Sequence, residues 1–205
     1  MNYLITAGPT REHIDDIRYL SNLSSGRMGY ALARAAVAAG HRVTLVTGPA
    51  NLAPPKGAEV VQVVSALDML NAVLKSFEES DIIVMCAAVA DYRPAARIAG
   101  KMKKGPDAIQ LALVKNPDIL AELGARKGDK FIVGFALEAE DGVANARKKM
   151  IAKNADIIVL NDPSAIAAET SVVHVLARYG GIRTIGPAAK DAIATELIGI
   201  IDATR

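Results

Sequence analysis

Lys101-Met102-Lys103-Lys104 places three ammonium groups within four residues. On an extended arm Lys101 and Lys103 share a face, because side chains alternate. Two like charges side by side repel unless an anion lies between them. Such an arm is either a solvated loop or a cover that closes over a polyphosphate, neutralising charge that repels an attacking carboxylate. Ser24-Ser25-Gly26-x-x-Gly29 opens a helix after a strand and a loop. Unpaired amides and the helix dipole favour an anion there, while a serine cap with close helix–sheet packing explains the same residues. Asn22, at the end of Arg18-Tyr19-Leu20-Ser21-Asn22, either caps that helix or orients a reacting carbonyl through its amide. A side chain that stays neutral suits an oxyanion or tetrahedral intermediate better than proton transfer.

Further candidates follow the later strands. Ala87-Ala88-Val89-Ala90-Asp91-Tyr92-Arg93 is small enough to let a planar ligand approach the backbone. Asp91 there offers a hydrogen bond to a base or help with a metal, or simply belongs to a turn with an exposed ion pair. In Lys115-Asn116-Pro117-Asp118-Ile119, Asn116 or Asp118 caps a helix whose free amides face a ligand or only solvent. Lys149 and Lys153 lie four apart and share a helix face, Lys148 beside them. Cys86 reads as packed core rather than a nucleophile. His13, His41 and His174 show no metal-binding spacing. A nicotinamide site wants Gly-x-Gly-x-x-Gly in the first turn and an acidic residue after the second strand. Here the first turn is Gly8-Pro9-Thr10, and Thr47-Gly48 stands where the acid belongs.

The elements that position these groups alternate in type. Apolar runs at Tyr3–Ala7, Arg42–Val46, Glu59–Val64, Asp81–Cys86, Phe131–Ala136 and Asp156–Leu160 read as strands, the fourth as central because it is nearly all apolar. Helices are expected from Ser24 to Gly40, Ala66 to Glu79, Pro117 to Gly124 (proline at the first position), Asp141 to Ala152 and Ala188 to Ile201. Gly8 to Asn22 reads as a long polar loop. Residues from about 95 to 114 have no helical period; Lys101–Lys104 and Ile109–Leu113 read as the arms of a hairpin or flap around Gly105-Pro106-Asp107. A terminal hairpin spans Ser171–Ala177 and Ile182–Ile185. The expected fold is α/β: one domain over residues 1–205, a doubly wound, Rossmann-like, mostly parallel sheet with helices on both faces and a protruding flap. Ligands of such sheets sit beyond the carboxyl ends of the strands, at the switch point. The loop after the first strand, Ala87–Tyr92, the loop after Ala136 and Asn161-Asp162 should therefore meet.

The composition narrows the class of function. A chain of 205 residues with 51% hydrophobic residues and one cysteine needs no disulfide framework, and a reducing cytoplasm is the simplest setting. A formal net charge of +2 argues for neither nucleic acid nor a membrane surface. No apolar stretch reaches the roughly 20 residues of a membrane-spanning helix.

Taken together, the segments resemble the phosphopantothenoylcysteine synthetases, or phosphopantothenate–cysteine ligases. The resemblance rests on Thr6-Ala7-Gly8-Pro9-Thr10-Arg11-Glu12, Arg18–Asn22 with Ser24-Ser25-Gly26, Ala87–Tyr92, Lys101-x-Lys103-Lys104, Lys115–Ile119, Gly134-Phe135-Ala136-x-Glu138 and Asn161-Asp162, in that order. It implies a ligase outside the ATP-grasp class, working in coenzyme A synthesis. CTP, with Mg²⁺ offsetting its charge, would convert the carboxylate of 4'-phosphopantothenate to an acyl-cytidylate, and the amine of L-cysteine would displace CMP. By position, Asn22 and Lys101 take the catalytic places, and Arg18 handles substrate with Asn22. The implied nucleotide contacts are Gly8, Ser24, Ser25, Gly26, Ala87, Ala88, Asp91, Lys101, Asn116, Pro117, Asp118, Ile119, Phe135, Lys149 and Lys153; metal ligands stay unassigned. The resemblance also implies a homodimer that shares site residues. A flavin-dependent decarboxylase, usually fused ahead of such a ligase, would here be a separate partner, or this chain one part of a longer protein. Pro9 replaces a usual glycine, Leu23 stands where histidine is common, and Pro163–Val172 is short, which bears on the substrate loops.

Overall fold

The computed structural model describes residues 1–103, 105, 108–137, 141–161 and 170–205. Lys104, the Pro106-Asp107 turn, Glu138, Asp162 and Pro163–Glu169 of the expectations above lie outside the described residues.

The chain begins with β1 (Asn2–Ala7), a short β2 (Arg11–His13) and β3 (Tyr19–Ser21), then α1 (Arg27–Ala38), β4 (Arg42–Thr47), β5 (Ala58–Gln62) and α2 (Ala66–Phe77). It continues through β6 (Ile82–Met85), β7 (Tyr92–Pro94), β8 (Leu113–Lys115), α3 (Ile119–Ala125) and β9 (Phe131–Leu137). The last elements are α4 (Gly142–Ala152), β10 (Ile157–Asn161), β11 (Thr170–Ala177), β12 (Ile182–Ala189) and α5 (Lys190–Thr204).

Eight strands form one sheet in the order β12-β11-β10-β9-β6-β1-β4-β5. From β10 to β5 every pairing is parallel, while β11 and β12 join as an antiparallel hairpin. Taking the parallel strands in chain order gives 3-2-1-4-5-6, the arrangement of a doubly wound dinucleotide-binding sheet, whose order reverses between β1 and β6. Ile82–Met85 is buried throughout and sits between β9 and β1, as its apolar run requires. Strand alternation sends Tyr3, Ile5, Val43, Leu45, Val84 and Val159 to one face, under α1 and α5. Leu4, Val46, Ile83, Ile132, Ile158 and Leu160 face the other way, under α2, α3 and α4.

Several expectations shift. The Gly8–Asn22 loop folds back as the β2–β3 ladder, Arg11 opposite Ser21 and His13 opposite Tyr19. Glu12 is buried within it, and its carboxylate accepts from the Ala66 amide at the start of α2 (2.9 Å). That bond answers one of the orphan donors every helix start carries. Among the described residues the flap is laddered at its base, Tyr92–Pro94 against Leu113–Lys115, and Ala95 N donates to Ala112 O (2.9 Å) just beyond. Helix α1 starts at Arg27 instead of Ser24, with no side-chain cap. Helix α3 starts at Ile119 behind an Asp118 cap, so Pro117 precedes the cap instead of occupying the first helical position.

Candidate active site

The two chain segments leaving the switch point are stitched together by two buried threonines, Thr6 in the apolar β1 and Thr10 in the turn after it. Thr6, buried in β1, accepts from the amides of Cys86 and Ala87, both at 3.1 Å. Ala88 N donates to Gly8 O (2.9 Å), Thr10 N donates to Ala88 O (3.2 Å), and the Thr10 hydroxyl accepts from Ala90 N (3.0 Å). From the far side, Asn116 Nδ2 donates to Ala90 O (2.7 Å) and Asn116 N to Asp91 O (2.8 Å). The Ala87–Asp91 turn is therefore fixed by four residues from two segments, Thr6, Gly8 and Thr10 on one side and Asn116 on the other. Thr6 and Thr10 were not among the sequence candidates; the signal was a hydroxyl within a buried run, which must find a partner.

Asn22 lies over this turn. Its Nδ2 donates to Ala88 O (3.2 Å) and Val89 O (3.3 Å). Because both partners are acceptors, the amide's orientation is set, and Oδ1 is the atom left to the site. The sequence reading left Asn22 either as a helix cap or as an amide orienting a reacting carbonyl; the observed bonds commit its NH₂ group to the turn. The cap reading of Asn22 is excluded, since Gly26 is the residue before α1.

Gly26 takes φ 77°, a conformation glycine adopts without strain. A Cβ there would lie 3.1 Å from Gly8 Cα. Ser24 Oγ accepts from Gly26 N (3.3 Å) rather than capping the helix, so the first-turn amides of α1 have no side-chain cap. Anions are stabilised at such an end. The close-packing reading holds at Gly29, where a Cβ would come within 2.5 Å of Ala7 Cβ.

Arg18 is bound to the buried carboxylate of Asp15 through Nε (2.9 Å) and Nη2, and Nη2 also donates to Met102 O (3.0 Å). The hydrogen bonds from Arg18, joined by backbone amides, hold Asp15 far below the usual carboxylate range, outweighing its burial. Lys101 and Lys103 are exposed on the adjoining arm, and their ammonium groups have no ion-pair partner among the described residues. Arg18 and Asn22 flank the three residues of β3, so one short strand carries both.

Over β9 and β10, Lys149 Nζ donates to Phe135 O (3.2 Å). Lys153, at the end of α4, pairs with Asp118, which also accepts from Ala121 N (2.9 Å) as the α3 cap. Burial pushes the Asp118 carboxyl up, but its bonds from Lys153 and Ala121 prevail and the net displacement is downward. Asp91 is exposed, without an ion-pair partner among the described residues; Arg93 bonds instead to Lys115 O (2.7 Å) and Asn116 Oδ1 (3.1 Å). Asn161, at the carboxyl end of β10, keeps a buried Oδ1 with no hydrogen-bond partner among the described residues. An orphaned acceptor at the ligand-facing edge of the sheet suits a donor from a bound molecule. Cys86 stays out of the chemistry, its thiol pushed by burial up to about 12. A cleft of about 580 Å³ opens beside the site over the ends of β4 and β5, lined by Arg11, Tyr30, Asn51 and Gln62 among others. It contains none of the sequence-derived contacts.

Comparison with known proteins places this geometry. The family model described as the DNA/pantothenate metabolism flavoprotein C-terminal domain matches residues 1–204. The coenzyme A biosynthesis bifunctional protein CoaBC of Bacillus subtilis is 46% identical over 200 residues, covering 95% of this chain and 49% of that protein. The chain thus spans about half the length of the curated relatives it matches. The crystal structure of the C-terminal domain of CoaBC superposes with a TM-score of 0.87 at 38% identity, over 99% of this chain and 94% of that one. The DNA/pantothenate metabolism flavoprotein from Streptococcus pneumoniae has the same fold, with a TM-score of 0.88 at 24% identity and full coverage of both chains (100%).

Proposed function

The chain belongs to the family of the DNA/pantothenate metabolism flavoprotein C-terminal domain, and from that premise we propose that it joins 4'-phosphopantothenate to L-cysteine through a CTP-derived acyl-cytidylate. The observation that carries this reading is the placement of Asn22 on the Ala88 and Val89 carbonyls, at the point where the parallel strand order reverses.

In the first step a carboxylate oxygen of phosphopantothenate attacks the α-phosphorus. The bond to the β-phosphate breaks, and pyrophosphate leaves with the electron pair. The uncapped start of α1 and the Lys101–Lys103 arm lower the repulsion between a carboxylate and a polyphosphate. In the second step the cysteine nitrogen attacks the acyl carbon, the bond to CMP breaks, and the amine loses a proton as the amide forms. Asn22 Oδ1 accepts from the attacking amine and fixes its approach, a contribution of orientation rather than of proton transfer.

Mg²⁺ fits as a companion of the triphosphate. Among the described residues no group of three or more His, Cys, Asp or Glu side chains could hold a metal ion, and phosphate oxygens with water meet the octahedral demand of this cation. The nucleotide is assigned to the half of the sheet over β9 and β10, where Phe135, Lys149 and the orphaned Asn161 oxygen lie. Exposed apolar side chains at Ile17, Leu23, Tyr92, Leu113 and Val114 support a homodimer formed around the flap base. A flavin-dependent decarboxylase, in the same chain or a separate one, would take the product. No described helix is long and apolar enough to cross a membrane.

The test is a coupled incubation with phosphopantothenate, cysteine, Mg²⁺ and either CTP or ATP. CMP and pyrophosphate released together with the amide support the assignment. AMP in their place moves the nucleotide, and no turnover by folded dimer refutes the ligase.

A further inference from the structure

The lysine arm does not float over the site; it is fastened on both sides of Lys101 to two consecutive carboxylates. Gly100 N donates to Asp16 Oδ2 (2.9 Å), and Asp16 N donates back to Gly100 O (3.2 Å). Met102 N donates to Asp15 Oδ2 (3.1 Å), and Met102 O accepts from Arg18 Nη2 (3.0 Å). Arg97 pairs with Asp16 Oδ1 (2.8 Å), and Ile98 N donates to Ile14 O (2.9 Å). Residues 97–102 thus run along the turn between β2 and β3. With the main chain of Gly100 and Met102 both committed to that turn, the backbone that carries the Lys101 side chain is fixed before any ligand arrives.

Asp15 holds the arrangement together. Its side chain is fully shielded from solvent, and every bond it makes accepts a hydrogen: Oδ1 from Ile17 N (2.8 Å) and Arg18 N (2.7 Å), Oδ2 from Arg18 Nε, Arg18 Nη2 and Met102 N. A buried carboxylate satisfied by five donors stays ionised and resists replacement. The charged groups facing it are Arg18, within the same turn, and the basic arm whose backbone it binds; Asp16 points to Gly100 and Arg97 instead. One carboxyl group therefore fixes both the guanidinium of Arg18 and the main chain beside Lys101.

We propose that Asp15 is a positioning residue of this ligase, coupling Arg18 to the Lys101 arm so that the substrate-handling arginine and the phosphate-facing lysine move as one unit, with Asp16 as the outer half of the clamp. The proposal rests on the assignment of Arg18 and Lys101 to the reaction. Nothing in the bond pattern requires Asp15 to touch substrate, and its effect passes through the two cations it places. The arm then opens only when the bonds to Asp15 and Asp16 break together, which makes arm position a two-state property rather than a continuous one.

The test uses the whole chain and three variants. Asp15→Asn keeps shape but removes the charge; Asp15→Glu keeps the charge with a longer reach; Asp16→Asn loosens the exposed half of the clamp with little risk to folding. Amide hydrogen exchange at Gly100 and Met102, together with trypsin cleavage after Lys101 and Lys103, reports the arm without any turnover. Pyrophosphate release in a single turnover, as a function of CTP, reports the site. Asp15→Asn should exchange and be cleaved about tenfold faster or more, as expected when a local opening loses its closing bonds. Its saturated rate of pyrophosphate release should fall by a similar factor while half-saturation by CTP stays within about threefold, since only interactions made in the transition state are lost. Asp15→Glu should recover part of both losses, and Asp16→Asn should show a smaller change in the same direction. Unchanged exchange and cleavage in both asparagine variants overturn the clamp. A loosened arm with undiminished pyrophosphate release overturns the coupling. If the unaltered chain releases no pyrophosphate at all, the ligase assignment fails instead, and exchange still decides whether the clamp exists.

Discussion

Replacing Asn22 by aspartate exchanges the amide NH₂ that faces Ala88 O and Val89 O for a carboxylate oxygen. The two contacts at 3.2 and 3.3 Å then set a negative oxygen against two carbonyl oxygens. Loss of the hydrogen bonding costs about 1 kcal/mol, and leaving polar atoms opposed and unpaired raises the total to about 1–3 kcal/mol. The side chain swings away from its working position by that free energy. At about 1.4 kcal/mol per decade, the amide-forming step slows roughly 5- to 150-fold. The turn beneath stays in place, because Thr6, Gly8, Thr10 and Asn116 hold it independently of Asn22. Pyrophosphate release should therefore stay within about threefold of the unaltered protein, an inference from the same transition-state accounting. The assay separates the half-reactions: CTP and phosphopantothenate first, with pyrophosphate and the acyl-cytidylate quantified, then cysteine, with the amide followed. Accumulated acyl-cytidylate that cysteine discharges slowly is the expected result. An equal loss in both half-reactions, or amide formation at the original rate, refutes the reasoning.

Lys101→Gln removes the charge of the arm while keeping length and should abolish most pyrophosphate release; near-normal release rejects the role given to the arm. Thr6→Val leaves the amides of Cys86 and Ala87 without their common acceptor, at a cost of about 2–3 kcal/mol. At about 2–4 °C per kcal/mol for a domain of this size, calorimetry should show melting roughly 4–12 °C lower, and an unchanged midpoint counts against the stitched turn. Asp118 titrates below the ordinary carboxylate range in the folded chain, so its contribution to stability is present above the unfolded value of about 3.9 and is lost as pH falls through the folded value. Lys153→Met should raise that folded value in a carbon-detected NMR titration; because Asp118 is half-exposed, added salt should shrink the difference, and no rise on substitution excludes the Lys153 pair as its cause.

Much of this was legible in the residues themselves. Alternating apolar runs and helical stretches gave the doubly wound sheet, because a strand buried on both faces must be apolar throughout, and Ile82–Met85 lies in the middle for that reason. The glycines at 8, 26 and 29 stood out because close approach demands them, although which of the three served packing and which a turn emerged only from their contacts. The ordered motifs pointed to the family before any coordinate was known.

What stayed hidden depends on partners distant in the chain. A sequence shows that Asn22 is an amide but not which end faces the site; two carbonyls beyond another strand decide that. Asp15 and Asp16 look like ordinary turn residues until the fold brings Gly100 and Met102 against them across more than 80 positions. The pairing of Lys153 with Asp118, 35 positions away, also shows only in the fold. Local chemistry marks which elements form and how they alternate, because side-chain periodicity along a strand or helix repeats within a few residues. The orientation of a polar side chain is settled by whichever acceptor or donor the tertiary structure sets within about 3 Å of it.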